Sequence, residues 1–150
     1  MKNSIAATRR EPDFGSVRTG DRLPETRHCP TRIQLFRYSA VTWNTHRIHF
    51  DSDYAEVEGY PDVLVQSHLH GAFLTQLCTD WMGVGGRLTK LGVTVRRFAV
   101  PGDVLVCSAV VTGVERIDGN RGVVQLDLNE IRESDGVVCA VGTATVSLPL

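Results

Sequence analysis

The sequence predicts an α+β domain in which one long helix is enclosed by a single antiparallel sheet, and three features carry that expectation. From about Ser67 to Met82 the chain is apolar at Leu69, Ala72, Phe73, Leu74, Leu77, Cys78, Trp81 and Met82, positions that cover nearly every face of a helix; a helix apolar all round is a buried one. Beyond Gly86 the chain alternates as strands do and is punctuated by turn residues. The stretch from Phe36 to Met82, which includes the helix, collects four of the five histidines and both tryptophans, so chemistry is expected there.

Taken in order, residues 1–19 read as a flexible arm leading into a domain at 20–150, since Met1 to Asp13 is polar and without periodicity. Phe14 to Pro30, with two glycines, two prolines and no alternation, reads as an irregular lead-in lying over the surface of the domain. Thr31 to Trp43 suggests a short strand followed by a helical turn. Asp53 and Glu56 have the spacing of an N-cap and its reciprocal carboxylate, giving a short helix that Gly59 ends. Gly83, Gly85 and Gly86 stop the long helix. Strands follow at Lys90–Arg96, Val104–Val114, Val124–Asn129 and Val137–Leu148, separated by turns at Pro101–Gly102–Asp103, Asp118–Gly119–Asn120 and Asp135–Gly136. One buried helix and several long antiparallel strands share a core only if the sheet wraps the helix. That architecture is the single hotdog fold.

With 150 residues, 42% hydrophobic and 22% charged, the chain has the composition of one globular domain. A net charge of −1 gives no electrostatic reason for a nucleic-acid or anionic-membrane partner. No apolar run approaches the ~20 residues of a membrane span, and the first residues lack the apolar core of a secretory signal, so a cytoplasmic protein is expected. Cys29, Cys78, Cys107 and Cys139 are scattered and read as reduced, inert thiols.

The run Asn44–Thr45–His46–Arg47–Ile48–His49–Phe50–Asp51, with Tyr54–Ala55 and Gly59–Tyr60–Pro61, resembles the MaoC-like hydratase and dehydratase family, whose signature is Asp, any residue, Asn, Pro, an apolar residue and His. Within it, the branch of mitochondrial-type hydroxyacyl-thioester dehydratases and mesaconyl-CoA or itaconyl-CoA hydratases is the most similar. The resemblance extends from Gly20–Asp21–Arg22–Leu23–Pro24 to Pro101–Gly102–Asp103 and beyond, and that branch is usually a double-length chain.

The resemblance implies reversible addition of water to a trans-2-enoyl thioester, with an acyl-CoA or acyl-carrier-protein thioester as substrate and no cofactor. Such a reaction needs a proton-transfer group and donors for an enolate-like oxygen. His49 falls on the family's catalytic histidine, a residue suited to moving protons near neutrality. Asn44 falls where the family has an aspartate; an amide can hold water but cannot act as a base. The family's His–Gly pair at the helix start is replaced by Gln66–Ser67, so the resemblance implies substrate contacts at Gln66, Ser67 and His68, with the backbone N–H groups of Ser67 and His68 left for the thioester oxygen. Arg47 offers a partner for the carboxylate of a mesaconyl-like acyl group or else a structural ion pair, Tyr60 completes the implied substrate site, and Arg87, Lys90, Arg96 and Arg97 are candidates for coenzyme A phosphates.

His46, His49, His68 and His70 have spacings that imidazole ligands use, but no acidic or cysteine ligand accompanies them in a known pattern, and no metal is expected. A hotdog thioesterase, which typically needs a carboxylate near the helix start, is disfavoured by Ser67–His68–Leu69–His70. A non-catalytic subunit of a heteromeric hydratase remains a second reading because of Asn44. An open sheet edge predicts a homodimer or higher oligomer.

Overall fold

A computed structural model describes residues 12–117 and 119–150. Its centre is α3 (Ser67–Met82), with the bounds expected from sequence, closed by Gly83 at φ 66°. Around it runs a five-stranded antiparallel sheet made of β1 (Thr26–His28), β2 (Arg87–Val95), β3 (Leu105–Ile117), β4 (Arg121–Arg132) and β5 (Val138–Pro149), in the order β1-β3-β4-β5-β2. Positive φ at Gly102 and Gly136 makes the expected turns; Asp118 lies outside the described residues, while Gly119, also at positive φ, completes the β3–β4 connection.

α3 packs against β2, β3, β4 and β5 through Leu69, Phe73, Leu74, Leu77 and Cys78. It is not buried on every side, however: Ser67, His68, Ala72, Gln76 and Asp80 form an exposed stripe. Leu74 and Leu77 are enclosed, so replacing either by Ala is expected to cost about 2–5 kcal/mol. A denaturant titration showing a loss below ~1 kcal/mol would place α3 outside the cooperative core.

Three stretches differ from the sequence reading. Thr31 to Trp43 is not strand and turn but α1 (Arg32–Thr42): Thr31 Oγ1 accepts the Gln34 N–H at 3.1 Å and starts the helix. Only Leu35 and Ser39 of α1 are buried, an i, i+4 pair on one seam, which is why no broad apolar stripe marked this helix. The next helix, α2 (Ser52–Val57), is capped by Asp51 rather than Asp53, through Tyr54 N–H to Asp51 Oδ1 at 3.1 Å. Finally, the lead-in is anchored. Phe14, in a 3-10 turn, and Val17 are buried in the core, the Phe14 ring occupying the space that a Cβ on Gly122 would need. Residues 1–11 of the expected arm lie outside the described residues.

Cys78, Cys107 and Cys139 are buried free thiols and Cys29 is exposed; burial pushes the Cys78 thiol up to about 11, away from the reactive thiolate. Among the described residues, no helix is long and apolar enough to cross a membrane.

Candidate active site

The site is built from the end of α1, the loop that follows it, and the start of α3. Trp43 ends α1 in the left-handed region (φ 55°), and both its N–H and that of Asn44 turn back to the Ser39 carbonyl. Asn44 Oδ1 then accepts the His46 N–H at 3.2 Å, an Asx turn that leaves the Asn44 Nδ2 donors without a partner among the described residues. His46 Nδ1 in turn accepts the Ile48 N–H at 3.2 Å and starts the 3-10 turn Arg47–His49.

His49 is fixed from the other side. Leu64 N–H donates to the Ile48 carbonyl at 2.9 Å, and His49 Nδ1 lies 2.8 Å from the Leu64 carbonyl oxygen. A carbonyl only accepts, so Nδ1 carries the proton and Nε2 of the neutral ring holds the lone pair. Burial lowers the His49 pKa, the Leu64 hydrogen bond opposes that, and His46 adds to the lowering. The ring is therefore a neutral acceptor at pH values where a free imidazole is already charged.

At the start of α3, Gln66 occupies the N-cap position without capping. Its side chain is fully buried and turned to α1, with Nε2 donating to the Leu35 carbonyl at 2.8 Å and to Ser39 Oγ at 2.9 Å. Ser39 thus joins the Asn44 backbone to the start of α3, a tie between positions distant in sequence that nothing in the sequence announced. The N–H groups of Ser67 and His68, the first two of the helix, have no partner among the described residues. Both residues line an open groove of about 730 Å³ between α3 and β2, together with Tyr38.

Other residues singled out by sequence take different positions. Arg47 pairs with Asp51, Nη2 to Oδ2 at 2.6 Å, and lies over the Tyr54 ring at 4.9 Å; this contact holds the Asp51 carboxyl below its usual range. The structural ion pair, one of its two readings, is the arrangement present. Tyr60 stacks edge-on against Phe98 at 5.3 Å. His70 points away from the site into the sheet, where its Nδ1 meets Glu130 Oε1 in a fully buried pair that Cys107 Sγ joins at 3.7 Å from Oε2. The histidines are thus divided, and among the described residues no three His, Cys, Asp or Glu side chains converge as metal ligands would.

The family model for hydroxyacyl-thioester dehydratase type 2 matches residues 3–98, more than half of the chain and all of the site just described. The chain belongs to this family. The description of that family names dehydratase chemistry on hydroxyacyl thioesters. Mesaconyl-C(4)-CoA hydratase of Chloroflexus aurantiacus is 50% identical over 44 residues, which are 29% of this dehydratase-family chain and 16% of that relative. Among solved structures, the R-hydratase PhaJ1 of Pseudomonas aeruginosa superposes with a TM-score of 0.78 at 20% identity, over 91% of this chain and 84% of that one. The ChsH1-ChsH2 complex of Mycobacterium tuberculosis gives 0.76 at 18% identity, over 89% and 98%. These matches show the MaoC-like hotdog fold for this member of the dehydratase family.

Proposed function

We propose that this chain reversibly hydrates a trans-2-enoyl thioester, most simply an acyl-CoA, with His49 as the proton-transfer residue. The observation that carries the proposal is the Leu64 latch, which leaves His49 Nε2 as a neutral acceptor. In hydration, Nε2 takes a proton from water as the water oxygen bonds to C3. The C2–C3 π electrons move onto the thioester carbonyl, and the enolate oxygen is received by the Ser67 and His68 N–H groups at the positive end of α3. The imidazolium then returns its proton to C2, so that H and OH have added across the double bond. Asn44, with its unpartnered Nδ2, positions the water. The reaction is redox-neutral and asks for no cofactor. Arg96 and Arg97, which follow β2 and are exposed, are the proposed contacts for coenzyme A phosphates.

The chain is proposed to work as an oligomer. Among the described residues β2 pairs only with β5, so its other edge is open, and the exposed stripe of α3 lies beside it. A non-catalytic role within a heteromeric hydratase is favoured by one observation, the amide at position 44, and the similar ChsH1-ChsH2 fold belongs to a complex of two different chains. A thioesterase is not supported, since the first turn of α3 has no acidic residue.

The test is hydration of crotonyl-CoA by the purified chain, followed as loss of the conjugated-thioester absorbance across pH. His49 must be neutral to accept a proton, and its pKa is lowered from 6.5, so the rate should hold down to that pH and fall through a single limb below it. No turnover, or an acidic limb above pH 6.5, would overturn the assignment of His49.

A further inference from the structure

Building on the proposed hydration site, the geometry points to an apolar acyl group as the substrate and to α1 as the element that selects it: the tail lies in the recess between α1 and the loop after it. That recess has a volume of about 200 Å³, room for roughly six waters. Phe36, Ala40, Trp43 and Phe50 form its apolar walls, and Asn44 with Thr45 forms its polar rim. It therefore opens directly on the residue proposed to hold the reacting water.

Two further observations decide the chemistry of the occupant. Trp43 is 83% and Phe36 59% exposed, so large apolar side chains beside a polar site stand without cover, although the Phe36 and Phe50 rings meet edge-on at 6.4 Å. A bulky residue at φ 55° is also an uncommon arrangement, and here it sets the indole at the wall of the recess. Among the described residues, no cation lines the recess. Arg47, nearest in sequence, is committed to Asp51 and Tyr54, and Arg37 faces a separate hollow with Ile33 and Val41. An acyl carboxylate placed there would lose water and gain no partner, whereas methylene groups would cover exposed aromatic surface. The chain should thus reject the dicarboxylic acyl group in the name of its Chloroflexus relative.

The experiment compares kcat/KM of the purified chain for trans-2-hexenoyl-CoA and mesaconyl-CoA, alongside a fluorescence titration with saturated, unreactive hexanoyl-CoA. Hexenoyl-CoA should be preferred by at least about tenfold, the scale on which a few pocket contacts discriminate. Ala40→Arg, an exposed position where a long side chain is tolerated, should lower that preference by at least about tenfold by supplying the missing cation. Hexanoyl-CoA should change tryptophan emission in the wild type and not in Trp43→Phe. Preference for mesaconyl-CoA, or an emission change that survives in Trp43→Phe, would overturn the inference. So would a Trp43→Ser variant that dissociates an oligomer without weakening hexanoyl-CoA binding, because the face would then be a protein interface. If hexanoyl-CoA binds as expected while no enoyl thioester is hydrated, the acyl recess stands and the hydratase reading falls.

Discussion

His49→Ala is expected to reduce turnover of an enoyl thioester by about 10²-fold or more while leaving the fold intact. The imidazole is half-buried and its one hydrogen bond goes to a backbone carbonyl, so its removal frees an acceptor that water can satisfy rather than stranding a charge. Asn44→Ala should hurt less, because it removes donors to water and an Asx turn but no proton acceptor. Asn44→Asp keeps the turn, since a carboxylate oxygen can still accept the His46 N–H, and restores the broad family's residue at this position; activity should be retained or rise. Stopped assays on these three variants, with circular dichroism to verify folding, separate proton transfer from positioning. Wild-type rates in His49→Ala on every thioester that the native protein hydrates would move the reaction elsewhere.

The largest effect on stability is expected at Glu130. Glu130→Ala should cost about 3–5 kcal/mol, because it leaves His70 fully buried with neither ring nitrogen satisfied. Among the described residues His70 Nε2 has no hydrogen-bond partner, and taking two polar side chains out of water costs free energy that a single contact offsets only in part. Replacing both residues by Leu should therefore recover most of the loss, the usual outcome when a buried polar pair gives way to well-packed apolar side chains. Urea titrations of the single and double variants read this directly; a single-variant loss below ~1 kcal/mol would mean the pair carries no structural weight.

How much of this could be read beforehand depended on range. α3, the four long strands and the Gly102 and Gly136 turns were legible because periodicity and turn chemistry act over a few residues. Leu74 and Leu77 were legible as core for the same reason. α1 was missed because its apolar residues face outward: Ile33 and Val41 are 70% and 86% exposed, so the helical period that marks a core-facing stripe is lacking. Strand β1 was missed because it is three residues long and exists only through pairing with Leu105–Cys107. In the proposed site, His49 and Asn44 were singled out through a motif, but the groups they contact were not. Leu64 meets His49 from 15 residues away, Gln66 meets Leu35 from 31, and Glu130 meets His70 from 60. Gln66 was expected to contact substrate; its side chain is spent instead on holding α1 to α3, and only its position at the helix start touches the site. Arg47 was ambiguous from sequence because an acidic residue four positions on is as natural a partner as a ligand.

The seating of Phe14 on Gly122 also bears on how the gene can be rearranged. Gly122 is paired across the sheet with Leu148, so the entry and exit of the described domain meet at one place, on either side of the same glycine. A short flexible linker would join them, and new ends could then be opened at the exposed Gly102 turn, which lies between β2 and β3. The same adjacency means that a second domain fused before or after this one would leave from the same corner of the sheet, beside the start of β2, where Arg87 pairs with Ser147.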